Sequence, residues 1–511
     1  MQRERTIIAA QVLLACAVVF AFIGLLAAAW FGVSTGYLFG DAQIFQTVGR
    51  GILNGLKPWS GLFETKPPAV FLLSASSLKI FGNQTLVTVT QAVAILAMPF
   101  LVLIPAVEIA KDQQQTVRRF VALGSFLFGT ILALYSANQA GFGLAESYGA
   151  ALAMGYVAVL GSSLRVGRMS VLGIMMLAAI GFKEPFFFSM LAAAVLLMPS
   201  GNFPKTAATD VVLPVAIAAA IGVLALLALG WFQPFFHVYL PHMMGFHILQ
   251  QDESIVRRTF DISRTWTNLA TYSAFLAVAV ALLWISFPCL AWAGSGGRSA
   301  KIILTVRWIA ASLLTLLAVG IGGDFYGHHF VFAVPLYAAL LLAVLRLFIA
   351  APSGVFRIIA TAFLLLLSAA SAFSTQISYA DMALRWKSEE GDMKKVAELI
   401  DHAMDACGYE RYLQQIARGG GPYAYTRHSP YGPVFIHYSR FIGASKEYQS
   451  AYISALQNAP LILMNTAEDS NLSPYALQYI GARYSEKAPP CAGADFHQPK
   501  PYVLLFRTSK Q

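Results

Sequence analysis

Eleven apolar runs dominate this chain, and the first, Ile7 to Trp30, extends for 24 residues without a charged side chain. A helix needs about 20 such residues to cross the hydrocarbon core of a bilayer, where no water satisfies backbone N–H and C=O groups. The other runs are Leu86 to Ala110, Phe120 to Tyr135, Tyr148 to Leu164, Ser170 to Phe182, Pro185 to Met198, Val211 to Trp231, Trp266 to Trp292, Ile303 to Gly320, Phe330 to Leu347 and Phe356 to Ala372. Only 12% of the 511 residues are charged, against about 25% in an ordinary soluble domain. A soluble globular protein is excluded, and an all-α polytopic membrane domain of about eleven transmembrane helices is expected.

The few charges are unevenly spread. Residues 385–511 carry 26 of the 60 charged side chains, so this tail reads as a soluble domain following a membrane domain at residues 1–384. An amphipathic pattern around Val396-Ala397-Glu398-Leu399-Ile400 and two strand-like runs, Pro460 to Met464 and Tyr502 to Phe506, make the tail a small α/β domain. Its Gly419-Gly420-Gly421 and Ser429-Pro430-Tyr431-Gly432-Pro433 segments lack the strand-to-helix setting of a nucleotide site and read as loops. Of four cysteines, Cys16 and Cys289 lie in apolar runs. Cys407 and Cys491 either pair, if the tail faces an oxidising compartment, or stay free thiols.

The net charge of +10 does not point to nucleic acid, because the basic residues form short clusters between apolar runs. Orientation explains them: cytoplasmic loops are enriched in Lys and Arg. The segment Pro67 to Phe81 is short, begins Pro-Pro and carries Lys79, so we read it as an interfacial helix. With that choice thirteen Lys and Arg of the membrane domain fall on the cytoplasmic side, and nine of its thirteen acidic residues fall outside. The odd span count puts the tail outside as well, in the periplasm of a bacterial inner membrane. The first apolar stretch is too long for a cleaved leader.

Two outer loops result, at residues 31–84 and 232–265. The first carries Asp41 directly after the first span, then Arg50-Gly51-Ile52-Leu53-Asn54-Gly55, Lys57-Pro58-Trp59 and Glu64-Thr65-Lys66-Pro67-Pro68. This order resembles the first outer loop of the GT-C glycosyltransferases, nearest the protein mannosyltransferase and lipid A aminoarabinose transferase branch. Glu146 before the fourth span and Asp324-Phe325-Tyr326-Gly327-His328-His329-Phe330 resemble further features of that family, and the resemblance covers about residues 1–350. Phe45 departs from it, because many relatives carry a Tyr near the leading acid. The resemblance implies an enzyme that takes a sugar from a polyprenyl-phosphate donor and transfers it, with inversion, to a hydroxyl of a lipid, glycan or protein acceptor. Its surroundings are membrane lipids.

Displacing a polyprenyl phosphate from a sugar C1 requires a base for the acceptor hydroxyl and cations for the departing phosphate. Asp41 is the candidate base. Lys66, at the start of the helix begun by Pro67, is the leading phosphate ligand, because free N–H groups and the helix dipole favour an anion there. Arg257, Arg258 and Lys183 are further phosphate candidates. Glu64, Glu146, Asp324, Tyr326, His328 and His329 are candidate substrate contacts. Each has a plainer reading: Asp41 as a helix cap, Lys66 snorkelling to the interface or paired with Glu64, Lys183 and Glu184 as a structural ion pair, and Arg257 and Arg258 as part of a solvated loop. No cofactor is implied. A divalent cation on Asp41, Glu64 and Asp324 stays open, whereas the spacing of His237, His242 and His247 does not put them on one helical face and argues against zinc. The competing function is a transporter or lipid flippase using Lys183 and Glu184 as midplane charges. It fits less well, since the unusual charges lie in outer loops.

Overall fold

The computed structural model describes residues 2–36, 40–141, 143–164, 166–198, 203–248, 254–294, 297–323, 325–350, 354–374, 379–415, 421–433, 435, 446–465, 474–493 and 502–508. Its helices begin α1 (Gln2–Thr35), α2 (Gly40–Leu53), α3 (Pro68–Phe81), α4 (Thr85–Ile109), α5 (Gln115–Ala140), α6 (Ala145–Gly161), α7 (Arg168–Phe182) and α8 (Phe186–Leu197). Next, α9 (Phe203–Ala207) continues through a π-helical turn into α10 (Leu213–Ala228), and the short α11 (Phe232–Pro234) and α12 (Leu240–His242) alternate with π-helical turns. Then come α13 (Ile255–Thr259), α14 (Ile262–Tyr272), α15 (Ala274–Ala293), α16 (Arg298–Gly320), a 3-10 stretch at Gly327–Ala333 that leads into α17 (Val334–Ala350), and α18 (Gly354–Ser374). The tail adds α19 (Tyr379–Cys407), α20 (Lys446–Asn458) and α21 (Pro474–Arg483), with strands β1 (Arg411–Gln415), β2 (Ser429–Pro430), β3 (Leu461–Asn465), β4 (Tyr484–Ser485) and β5 (Tyr502–Arg507).

Helices occupy each expected apolar run, and among the described residues seven are long and apolar enough to cross a membrane. One run is split between two separate helices. Trp266 to Trp292 breaks at Ser273, whose extended backbone and side chain cap α15 by accepting from the Leu276 N–H, leaving Trp266 on the separate amphipathic α14. The loop expected between Phe232 and Arg264 is itself largely helical. The Pro67 segment forms α3, whose 14 residues extend about 21 Å at 1.5 Å per residue, well short of a roughly 30 Å hydrocarbon core.

The chain divides into two compact units. The first comprises Met1–Ser34, Val89–Ala225 and Asp252–Tyr379. Within it α7 and α8 are short, because Lys183-Glu184-Pro185 interrupts them. Arg346 donates to the carbonyls of Leu197 and Gly161, at the ends of α8 and α6, and Arg168 at the start of α7 donates to Val159 and Ser162. These contacts make α7 and α8 a hairpin with its turn at Lys183, at the opposite end of the bundle from the arginines. Arg307 joins the same basic end through the Met198 carbonyl, so three guanidiniums occupy helix C-termini, where the free C=O groups and the dipole favour cations.

The second unit comprises Thr35–Thr88, Leu226–Gln251 and Ala380–Gln511. Its five-stranded sheet runs β2-β1-β3-β5-β4, with β1 parallel to β2 and β3 and with β5 antiparallel to β3 and β4. Leu413, Ile462, Met464 and Leu505 from the strands pack with Tyr452, Leu456 and Ile480 from the helices. Cys407 and Cys491 form a disulfide across 84 positions of sequence. Replacing both by Ser is expected to lower the stability of the tail by about 2–5 kcal/mol, read as a lower Tm and faster proteolysis of this domain. A variant that melts like the wild type would show that the bridge contributes nothing.

Candidate active site

In the second unit the candidate residues of the first outer loop come together. Gly40 starts α2, so Asp41 lies in its first turn, and Lys66 directly precedes Pro67 and the first turn of α3. The two helices pack closely at Gly49, where a Cβ would lie 2.8 Å from the Ala75 nitrogen. This approach returns the chain so that the Lys66 ammonium lies 3.9 Å from the Asp41 carboxylate and 3.6 Å from that of Glu64. Asp41 keeps about a third of its side chain exposed, whereas Lys66 and Glu64 are 11% and 4% exposed. Burial pushes the Glu64 carboxyl above its ordinary range, Lys66 opposes that rise and Asp41 adds to it. The Thr65 hydroxyl donates to Glu64. Phe45 offers its ring face to the Lys66 ammonium at 5.8 Å, a cation–π contact.

Trp59, which the sequence offers only as part of the Lys57-Pro58-Trp59 pattern and with no role assigned, is also a member of this site. It is 1% exposed, has a φ of +65° and donates its indole N–H to the Lys66 carbonyl at 3.2 Å. A bulky residue with positive φ is strained and persists only where its surroundings over-determine it. Here the rings of Tyr239, Phe235, Trp231 and Phe71 surround the indole at centroid distances of 5.0 to 6.4 Å. The Pro58-Trp59-Ser60-Gly61 turn was the visible signal, but three of the four aromatic partners, Trp231, Phe235 and Tyr239, lie 172 to 180 residues away in the chain.

The first unit holds the other group. Glu146, 1% exposed in the first turn of α6, has Lys183 at 3.7 Å and His328 at 4.0 Å from the same carboxylate oxygen. Lys183 is the residue that ends α7, so the charged break of the hairpin brings its ammonium to Glu146. The Tyr326 and His328 rings stack at 5.6 Å, and His328 meets His329 edge-on at 4.5 Å. Phe325 has a φ of +47° beneath the Arg264 guanidinium, 4.5 Å from its ring. Asp324 lies outside the described residues.

Arg257 and Arg258 differ from each other. Both sit on α13, capped by Ser254, but Arg257 is exposed, whereas Arg258 is 2% exposed and donates to the Ile321 carbonyl. Among the described residues no group of three His, Cys, Asp or Glu could hold a metal ion. His242 instead packs edge-on against Phe63, and burial lowers its pKa to about 4, so it is neutral at physiological pH.

No protein-family model matches the sequence, and no curated protein matches it. Solved structures do. ArnT from Cupriavidus metallidurans bound to undecaprenyl phosphate is 14% identical, with a TM-score of 0.51 over 97% of this chain and 98% of that one. The apo state of the same protein gives 14% identity and a TM-score of 0.53 over 97% and 99%. The chain thus shares the fold of ArnT over nearly its whole length.

Proposed function

We propose that this protein is a glycosyltransferase that moves a sugar from a polyprenyl-phosphate donor to an acceptor hydroxyl. The observation that carries the reading is the Asp41, Glu64 and Lys66 cluster ahead of α3, in a chain folded like a protein that binds undecaprenyl phosphate. Asp41 takes the proton of the acceptor hydroxyl, the acceptor oxygen attacks the sugar C1 opposite the phosphate, and the C1–O bond breaks as the phosphate leaves with the electron pair. Lys66 and the free N–H groups of α3 receive that phosphate. One displacement of this kind inverts the anomeric centre. Within the first unit, Glu146, Lys183 and His328, with Tyr326 and His329 beside them, form a separate polar cluster suited to substrate hydroxyls, and Arg257 is an accessible cation of that unit suited to a phosphate.

Incubation of the purified protein with a panel of polyprenyl-phosphate sugars tests this directly. Release of free polyprenyl phosphate from at least one donor is expected, and no release above background from any donor would overturn the reading.

We also propose that the tail and the Asp41 loop face the periplasm. The Cys407–Cys491 bridge supports this, since disulfides persist in oxidising compartments. A Lys487→Cys variant should label in intact cells with an impermeant thiol reagent, because Lys487 is exposed in the tail. Labelling only after membrane disruption would reverse the orientation.

A further inference from the structure

The tail makes a set of contacts that neither the sequence reading nor the proposed reaction uses. The residues of α2 that touch it are Gln43, Arg50 and Asn54, the last just past its end, at spacings of seven and four that share one helical face. Gln43 is 1% exposed, accepts from the Gly421 N–H at 3.2 Å and donates to the Met393 sulfur. Arg50 donates to the Ala424 carbonyl, and Asn54 to the Ser429 hydroxyl and the Arg427 carbonyl. Farther along the same loop, the Phe63 N–H donates to the Pro433 carbonyl at 2.8 Å. One stretch, residues 421–433, therefore holds the loop at its Asp41 end and again ahead of Glu64 and Lys66.

That stretch is itself fixed from behind. Its 3-10 turn, Gly421–Ala424, is fully buried, and the Tyr423 hydroxyl and N–H are bonded to β1 through the Tyr412 carbonyl and the Gln414 side chain. The Arg427 N–H donates to both oxygens of Asp401 on α19. Gly421 has a φ of +50°, a conformation that favours glycine, and it is this residue that presents its N–H to Gln43.

We propose that residues 421–433 are a positioning strap, and that Gln43 is a positioning residue that sets Asp41 through helix α2. The inference rests on the transferase reading, because it assigns the strap a part in that reaction: it preorganises the base ahead of substrate binding. A shift of about 1 Å in a reacting group can cost about 100-fold in rate, and the residue two positions before Gln43 is Asp41.

The test is steady-state kinetics on full-length Gln43→Leu and Gln43→Glu, together with hydrogen exchange of residues 40–53. Gln43→Leu removes the acceptor for Gly421 and should lower kcat by about tenfold or more, with the donor KM within about twofold of wild type and faster exchange in α2. Gln43→Glu keeps an acceptor and should recover most of the lost kcat, which a purely structural role would not require. Asn54→Ala, a change near the surface, repeats the experiment should Gln43→Leu fail to accumulate, and is expected to lower kcat in the same direction. A wild-type kcat in the variants overturns the strap alone, even where exchange rises. Absence of polyprenyl phosphate release by the wild-type protein overturns the transferase reading and the strap with it.

Discussion

Asp41→Asn is expected to lower kcat by about 10²- to 10⁴-fold, the range that general bases contribute, while donor binding is retained. The substitution keeps size and polarity, so α2 and its packing on α3 should persist, but the amide cannot accept the acceptor proton. The geometry makes the expectation specific. Asp41 is the most exposed of the three charged groups in the cluster, whereas Glu64 is 4% exposed and its carboxyl is raised by burial. An acceptor hydroxyl therefore reaches Asp41 more readily than Glu64. Measured release of polyprenyl phosphate within a few-fold of wild type would remove Asp41 as the base, and loss of donor binding would reassign it to holding Lys66.

The part of this site that was legible in the sequence owes its legibility to scarcity. In a chain with few charges, a carboxylate after the first span and a Glu-x-Lys before a Pro-Pro helix start are conspicuous, and the structure brings the Lys66 ammonium within 4 Å of both Asp41 and Glu64. Glu146, Lys183 and His328 stood out for the same reason and also come together. What could not be read depends on partners distant in the chain. Trp59 matters through rings at positions 231 to 239, and no local pattern announces that pairing. Strand β1 reads Arg-Tyr-Leu-Gln-Gln and shows no apolar run, yet Gln414 is buried because its side chain accepts from the Tyr423 N–H, and Leu413 pairs in register with Ile462. The break at Ser273 was hidden for another reason. Average hydropathy carried the window across it, while the amphipathic period of α14 and a single serine cap decided where the helix ends.

Lys66→Ala is expected to weaken the donor complex and to slow transfer as well, because the phosphate is anionic in the ground state and gains charge as the C1–O bond breaks. Loss of one preorganised partner at a developing charge costs about 3 kcal/mol, on the order of 10²-fold. A rise in donor KM together with a fall in kcat is the expected pattern, in contrast to the fall in kcat alone expected for Asp41→Asn. A second consequence concerns Glu64. Lys66 is the main influence that holds this buried carboxyl down, so its removal lets the carboxyl rise further above its unfolded value. The native state then binds more protons than the unfolded state across that window, so the contribution of Glu64 to stability is fully present below its unfolded pKa and is lost as pH rises through the folded one. Lys66→Ala should therefore lose more stability at neutral than at mildly acidic pH, and Lys66→Ala/Glu64→Gln should show a flatter profile. Lys66→Arg should recover part of the donor affinity. Donor affinity equal to wild type in Lys66→Ala would move the phosphate site away from α3, and a double variant with the same pH slope as the single would remove Glu64 as its source.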